Sequence, residues 1–213
     1  MPELMQQVLD SGLVAIIRAP SGELLVDVAK ALLDGGISII EVTLTVPNAL
    51  QIIADVNREL GDKIILGAGS VIDSETARAA MLAGAEFIVS PVVKPDVIAC
   101  CKRYGKVVMP GAFTPTEILT AWELGADVVK VFPADVGGPA YLKAVKAPLP
   151  QVRLMPTGGV DLNTLESFWK AGACAVGLGS ALVEKDAVAR GDMNRIRDLA
   201  GQYVSLMEKL RAS

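Results

Sequence analysis

Leu124-Gly125-Ala126, followed at once by Val128-Val129-Lys130-Val131, is one of four versions of the same phrase in this chain. The others are Leu33-Asp34-Gly35-Gly36-Ile37 before Ile39-Ile40-Glu41-Val42, Leu82-Ala83-Gly84-Ala85 before Phe87-Ile88-Val89-Ser90, and Ala171-Gly172-Ala173 before Ala175-Val176-Gly177. Each reads as a helix end, a glycine and a buried strand. Glycine accepts the left-handed turn that closes a helix, and a short apolar run suits a parallel strand covered on both faces. The marker glycines Gly36, Gly84, Gly125 and Gly172 lie 48, 41 and 47 residues apart. That is about twice what one strand–helix unit needs, so each interval holds two units.

The interposed strands fall at residues 14–18, 64–66, 107–109 and 152–155, which brings the number to eight. Apolar spacing near 3.6 predicts helices over residues 24–33, 49–60, 76–82, 97–104, 116–124 and 162–169, with a further helix over 194–210. Thr114-Pro115-Thr116-Glu117 is a helix start, with proline in the first turn and an acid behind it. The expected fold is α/β, a single (β/α)8 TIM barrel over residues 1–213, with an extra N-terminal helix over 3–9. An open doubly wound sheet is the alternative. The repeat and the absence of a polar edge strand favour closure.

Composition narrows the function classes. Hydrophobic residues make up 52% and charged residues 21% of the 213, enough for a large core. The net charge of −4 disfavours a broad nucleic-acid surface, though not a local anion pocket. No apolar run is long enough to span a membrane, and Met1-Pro2-Glu3-Leu4 lacks the features of a signal peptide. Cys100, Cys101 and Cys174 have neither disulfide nor metal spacing and read as reduced cytoplasmic thiols, Cys174 in the core. The chain has no histidine. Ser-His-Asp and Cys-His catalysis are therefore excluded, and no metal site is expected.

Barrel enzymes work at the C-terminal ends of their strands, so the residues there are the candidates. Lys130 stands inside an apolar strand, where burial opposes a charge. Its chemical reading is an amine able to attack a carbonyl and form an imine. It could also be an anion-binding or a purely structural lysine. Glu41 occupies the same kind of position. It could pair with Lys130 or Arg18, or serve as the general acid–base group. Thr157-Gly158-Gly159 and Gly177-Leu178-Gly179-Ser180 suit a phosphate grip, because glycines let N–H groups reach an oxyanion and a following helix start adds its dipole. Gly67-Ala68-Gly69-Ser70 suits close approach of a substrate carboxylate, with the Ser70 hydroxyl as donor, or simply a tight turn. Arg18 is a possible cation for that carboxylate, or a salt-bridge partner.

At these residues the sequence resembles the 2-keto-3-deoxy-6-phosphogluconate (KDPG) / 4-hydroxy-2-oxoglutarate (KHG) aldolase family. Glu41-Val42-Thr43-Leu44, Gly67-Ala68-Gly69-Ser70-Val71, Ile88-Val89-Ser90-Pro91, Met109-Pro110-Gly111, Lys130-Val131-Phe132-Pro133-Ala134, Pro156-Thr157-Gly158-Gly159-Val160 and Gly177-Leu178-Gly179-Ser180 carry the resemblance. It implies a class I aldolase without metal or organic cofactor. Lys130 would be the Schiff-base lysine and Glu41 the proton-transfer residue. Gly158, Gly159, Gly179 and Ser180 would hold a phosphate, with Thr157 in the same motif. Ser70 and Gly69 would lie near the pyruvyl carboxylate, and Phe132 and Pro91 would line the pocket. Many relatives have arginine four residues after the glutamate. Here that position is Thr45, close to Thr43, and other relatives share the threonine and place an arginine where this chain has Arg18.

The resemblance further implies a cytoplasmic homotrimer acting on a phosphorylated 2-keto acid or pyruvate. The expected reaction cleaves 2-dehydro-3-deoxy-6-phosphogluconate to pyruvate and glyceraldehyde 3-phosphate. Within the family, 4-hydroxy-2-oxoglutarate and the phosphogalactonate epimer are alternative substrates. Outside it, the same barrel would suit a sugar-phosphate epimerase or a non-catalytic phosphate-binding protein.

Overall fold

A computed structural model describes residues 2–18 and 24–212. The order is α1 (Pro2–Ser11), β1 (Leu13–Ile17), α2 (Leu25–Asp34), β2 (Ile39–Thr43), α3 (Ala49–Leu60), β3 (Ile65–Gly69), α4 (Ser74–Leu82), β4 (Phe87–Ser90) and α5 (Pro95–Arg103). Then follow β5 (Val107–Ala112), α6 (Pro115–Glu123), β6 (Val129–Val131), α7 (Ala134–Lys146), β7 (Leu154–Pro156), α8 (Leu165–Lys170), β8 (Val176–Leu178), α9 (Lys185–Ala189) and α10 (Met193–Ala212). Among the described residues eight parallel strands pair in sequence order. β1 pairs with β8, and a parallel bridge between Thr157 and Gly177 joins β7 to β8 and closes the ring. This is the expected (β/α)8 barrel.

The repeated phrase is a repeated turn. Gly36, Gly84, Gly125 and Gly172 have φ between +94° and +116°. In each case the residue after the glycine donates its N–H to the carbonyl five positions back, as Ala85 does to Ala80 (2.9 Å) and Ala126 to Ala121 (3.0 Å). That bond satisfies a carbonyl left over at the helix end. Gly105 makes the same turn after α5, with Lys106 donating to Cys101, although nothing in the wording around it matches the repeat. The start of α6 is also as expected. Thr114 and Glu117 form a reciprocal capping box with Pro115 in the first turn, a device that stabilises a helix by about 1 kcal/mol.

Two apolar layers follow from the alternation of the strands. Val129, Val131, Ile40 and Val42 face the outer helices. Val14, Ile39, Phe87, Val89, Met109, Val128 and Met155 fill the interior, and Met5 and Val8 of α1 pack against them from below. The extra N-terminal helix is thus the floor of the barrel. Each fully buried aliphatic side chain contributes roughly 1.5–3 kcal/mol.

Several details depart from expectation. β3 continues through Gly67, Ala68 and Gly69, with Gly69 in register with Thr43. The glycines belong to the strand because larger interior groups fill their space. A Cβ on Gly67 would lie 2.2 Å from the Phe87 ring. β5 likewise runs on to Ala112. α7 has no counterpart in the periodicity, because Gly137-Gly138-Pro139 interrupts it and Gly138 breaks the helix at φ +65°. The short α9 was also missed. Among the described residues no helix is long and apolar enough to cross a membrane. Burial raises the thiols of Cys101, to about 12, and Cys174, to about 11, which suits packing rather than nucleophilic chemistry.

Candidate active site

Strand parity puts two ionisable groups inside the barrel. On β6, Val129 and Val131 face outward, so Lys130 faces inward, at only 6% exposure. Asp127 fixes the entry to this strand. Its N–H donates to the Val108 carbonyl (3.0 Å), and its carboxylate accepts from the Val108 N–H (2.9 Å) and from Lys102 (2.7 Å). On β2, Ile40 and Val42 face outward and Glu41 inward, at 1% exposure. β2 and β6 are four places apart in a ring of eight, so the two side chains approach from opposite walls.

Glu41 occupies an unfavourable environment for a charge. Desolvation raises its pKa above the ordinary carboxylate value, and the nearby charges of Lys130 and then Arg18 pull it partly back. Its Oε2 is buried without a hydrogen-bond partner, and among the described residues no salt bridge joins Glu41 to Lys130. Gly69 makes the position possible, since a Cβ there would sit 1.7 Å from the Glu41 Oε1. The space above Gly69 is therefore filled by the Glu41 carboxylate. A carboxylate whose affinity for a proton is raised by burial has the character a general acid–base group needs.

A cavity of about 360 Å³ has Lys130 in its lining, while Glu41 stays behind the lining, near enough to feel the charges of Lys130 and Arg18. Eight of the residues expected from sequence line it: Arg18, Lys130, Phe132, Thr157, Gly158, Gly159, Gly179 and Ser180. The Lys130 Nζ lies 5.1 Å from the centroid of the Phe132 ring. Thr157 keeps its Oγ1 buried without a partner, and Gly177 is the glycine that leaves room for it, because a Cβ there would come within 2.4 Å.

The far end of the cavity is main chain. Gly158 and Gly159 have φ of +94° and +69°. Among the described residues the N–H groups of Gly158, Gly159, Gly179 and Ser180 donate to no carbonyl or side chain. Four residues with unpartnered N–H groups in one cavity lining have the donor set an oxyanion cradle needs. A helix start was expected directly behind each turn. α8 begins only at Leu165 and α9 at Lys185, so the cradle is built of turn main chain.

The other expected residues, Glu41, Thr43, Thr45, Gly69, Ser70 and Pro91, are not in the cavity lining. Thr43 is fully buried beside Glu41's strand neighbours, and its hydroxyl shares a hydrogen bond with that of exposed Thr45 (3.0 Å). Ser70, half-buried, adopts φ +60°, a left-handed conformation of the kind that collects at functional sites. The Pro91 carbonyl packs on Gly111, which is in register with Lys130. Arg18, one of the eight lining residues, is exposed. The sequence reading missed Ile16, Asp161 and Lys185, which also line the cavity. Ile16 had a signal, since its strand parity matches that of Val14. Asp161 and Lys185 had none, since each looks like an ordinary surface charge.

The chain is similar to known proteins over most of its length. Residues 5–199 match the family model described as KDPG and KHG aldolase. The chain is 39% identical over 183 residues to a 2-dehydro-3-deoxy-phosphogluconate aldolase of Treponema pallidum, covering 85% of this chain and 87% of that one. It is 37% identical over 171 residues to a 2-dehydro-3-deoxy-6-phosphogalactonate aldolase of Escherichia coli, covering 80% and 83%. Among solved structures, KDPG aldolase from Legionella pneumophila, with pyruvate captured at low pH as a covalent carbinolamine intermediate, superimposes with a TM-score of 0.85 at 28% identity. It covers 92% of this chain and 96% of that one.

Proposed function

Because the chain belongs to the KDPG and KHG aldolase family, and is thus a class I carbon–carbon lyase, we propose that it cleaves 2-dehydro-3-deoxy-6-phosphogluconate to pyruvate and glyceraldehyde 3-phosphate, with Lys130 as the imine-forming residue. The observation that carries this reading is buried Lys130 in the lining of a cavity that also includes four residues with unpartnered N–H groups, with buried Glu41 on the opposite strand of the barrel.

The Lys130 amine attacks the C2 ketone, and the carbinolamine loses water to give an iminium ion. Glu41, as carboxylate, accepts the proton of the C4 hydroxyl. The C3–C4 bond breaks, its electron pair moves into the iminium nitrogen as an enamine, and the aldehyde leaves. The enamine takes a proton at C3, and water releases pyruvate and the free lysine. The iminium ion is the electron sink. Arg18 binds the carboxylate, with Thr43, Thr45, Gly69 and Ser70 supplied at and just beyond the ends of β2 and β3. Gly158, Gly159, Gly179 and Ser180 hold the phosphate, the orphan hydroxyl of Thr157 bonds a substrate hydroxyl, and Phe132 and Pro91 shape the wall.

The Treponema and E. coli relatives differ in the epimer they are named for, so relative turnover of the two epimers, and of 4-hydroxy-2-oxoglutarate, sets the preference. The unit proposed is one barrel over the whole chain, assembled as a homotrimer in the cytoplasm. Exposed apolar Ile72, Val92 and Val136 support contacts between copies, and the free cysteines suit a reducing compartment. Borohydride reduction in the presence of pyruvate, followed by peptide mass mapping, tests the chemistry. A pyruvyl adduct on Lys130 is expected, and folded protein that yields none at several pH values contradicts the aldolase reading.

A further inference from the structure

We propose that Lys185 supplies the charge that makes this site prefer phosphorylated substrates, an inference that rests on the aldolase reading above. Lys185 lines the same cavity as Gly158, Gly159, Gly179 and Ser180. The chain brings it there by a tight turn. The N–H groups of Leu182 and Val183 both donate to the Gly179 carbonyl (3.0 and 2.9 Å), so the segment after Ser180 folds back towards the wall it has just left.

The neighbouring acids leave the lysine available. Glu184 is engaged by Arg195, whose Nε and Nη2 donate to its two oxygens at 3.0 and 2.8 Å. Asp161, the acid of the cavity, accepts from the N–H groups of Asn163 and Thr164 (2.8 and 2.9 Å) and from the Thr164 hydroxyl (3.1 Å). Among the described residues no salt bridge holds Lys185, although others hold Lys30, Lys94, Lys102, Lys106 and Lys170.

A phosphate monoester carries a charge of about −1.5 to −2 at neutral pH. The N–H cradle gives it geometry but no full charge. The cavity's other cations are committed, Lys130 to the ketone and Arg18 to the carboxylate. Lys185 is a mobile point charge that meets a tetrahedral dianion without fixing its rotation. It lies at the solvent edge, so its effect is modest and salt-sensitive. 4-Hydroxy-2-oxoglutarate ends one carbon earlier and carries no phosphate, so the lysine discriminates between the two substrates.

The test uses Lys185→Ala, Lys185→Gln and Lys185→Arg. The ratio of kcat/KM for the phosphorylated sugar acid to that for 4-hydroxy-2-oxoglutarate is expected to fall about fivefold to tenfold in the first two, through KM. It should recover in the arginine variant and shrink as salt is added. Calorimetric titration with inorganic phosphate should show the same loss of affinity. An unchanged ratio and unchanged phosphate affinity, in variants that still trap pyruvate on Lys130, would overturn the role of Lys185 and leave the aldolase reading intact. If the unmodified protein traps no pyruvate, the aldolase reading falls and the phosphate titration alone decides. Weaker binding in Lys185→Ala then supports the lysine as a phosphate contact, and equal binding rejects it.

Discussion

The floor of the cavity and its far wall solve the problem of holding an anionic substrate in different ways. At the floor, Lys130 and Glu41 are side chains forced into a dry interior. At the wall, the proposed contacts are main-chain N–H donors that any sequence possesses, left unpartnered in turns where Gly158 and Gly159 adopt positive φ. The difference concerns what mutation can remove. A side chain can be deleted and its chemistry goes with it, whereas an N–H donor can only be misplaced.

Lys130→Ala should separate the two ends most sharply. Turnover falls by roughly 10⁴-fold or more, and the pyruvyl adduct disappears, while calorimetry still detects inorganic phosphate at the wall. Loss of phosphate binding together with turnover would mean that the two ends are one unit.

Glu41→Gln comes next, with an expected loss of roughly 10²–10⁴-fold. It has a second, opposite readout. Burial raises the Glu41 pKa from its ordinary 4.5, so the stability the group contributes is present below that value and lost as pH rises through the raised one. The glutamine variant carries no charge to desolvate. It should melt above the parent at about pH 8, by about 2–4 °C for each kcal/mol relieved, with the gap closing as pH falls towards 4.5. A variant that melts lower at every pH would show that attraction to Lys130 outweighs desolvation.

The smallest expected effect belongs to the wall. In Gly159→Ala the new Cβ would lie 2.5 Å from the Asp135 Cβ, at φ +69°. The turn shifts, KM for the phosphorylated substrate rises roughly tenfold, and pyruvate trapping on Lys130 persists. A loss of trapping there would erase the distinction between the two ends.

The same contrast explains what could be read from the sequence. Lys130 and Glu41 were visible because a charge inside an apolar run conflicts with its surroundings, and strand parity then placed both in the barrel. The marker glycines were visible because one turn recurs four times. Gly105 makes that turn in different wording, and α7 is hidden by Gly137-Gly138-Pro139. The dependence of Glu41 on Gly69 arises from pairing between consecutive strands with a helix between them, 28 residues apart in the chain, which no local window contains. Lys185 becomes informative only when the turn at Gly179 brings it back to the cavity.

Met5 and Val8 close the barrel from below, and this has a kinetic consequence. With the base stoppered, traffic to and from Lys130 shares the opening above. In the proposed mechanism the aldehyde fragment lies nearer that opening and departs before pyruvate is freed beneath it. Run in reverse, pyruvate has to load first, so the single opening enforces the same order as the imine chemistry, in which the enamine forms before the aldehyde adds.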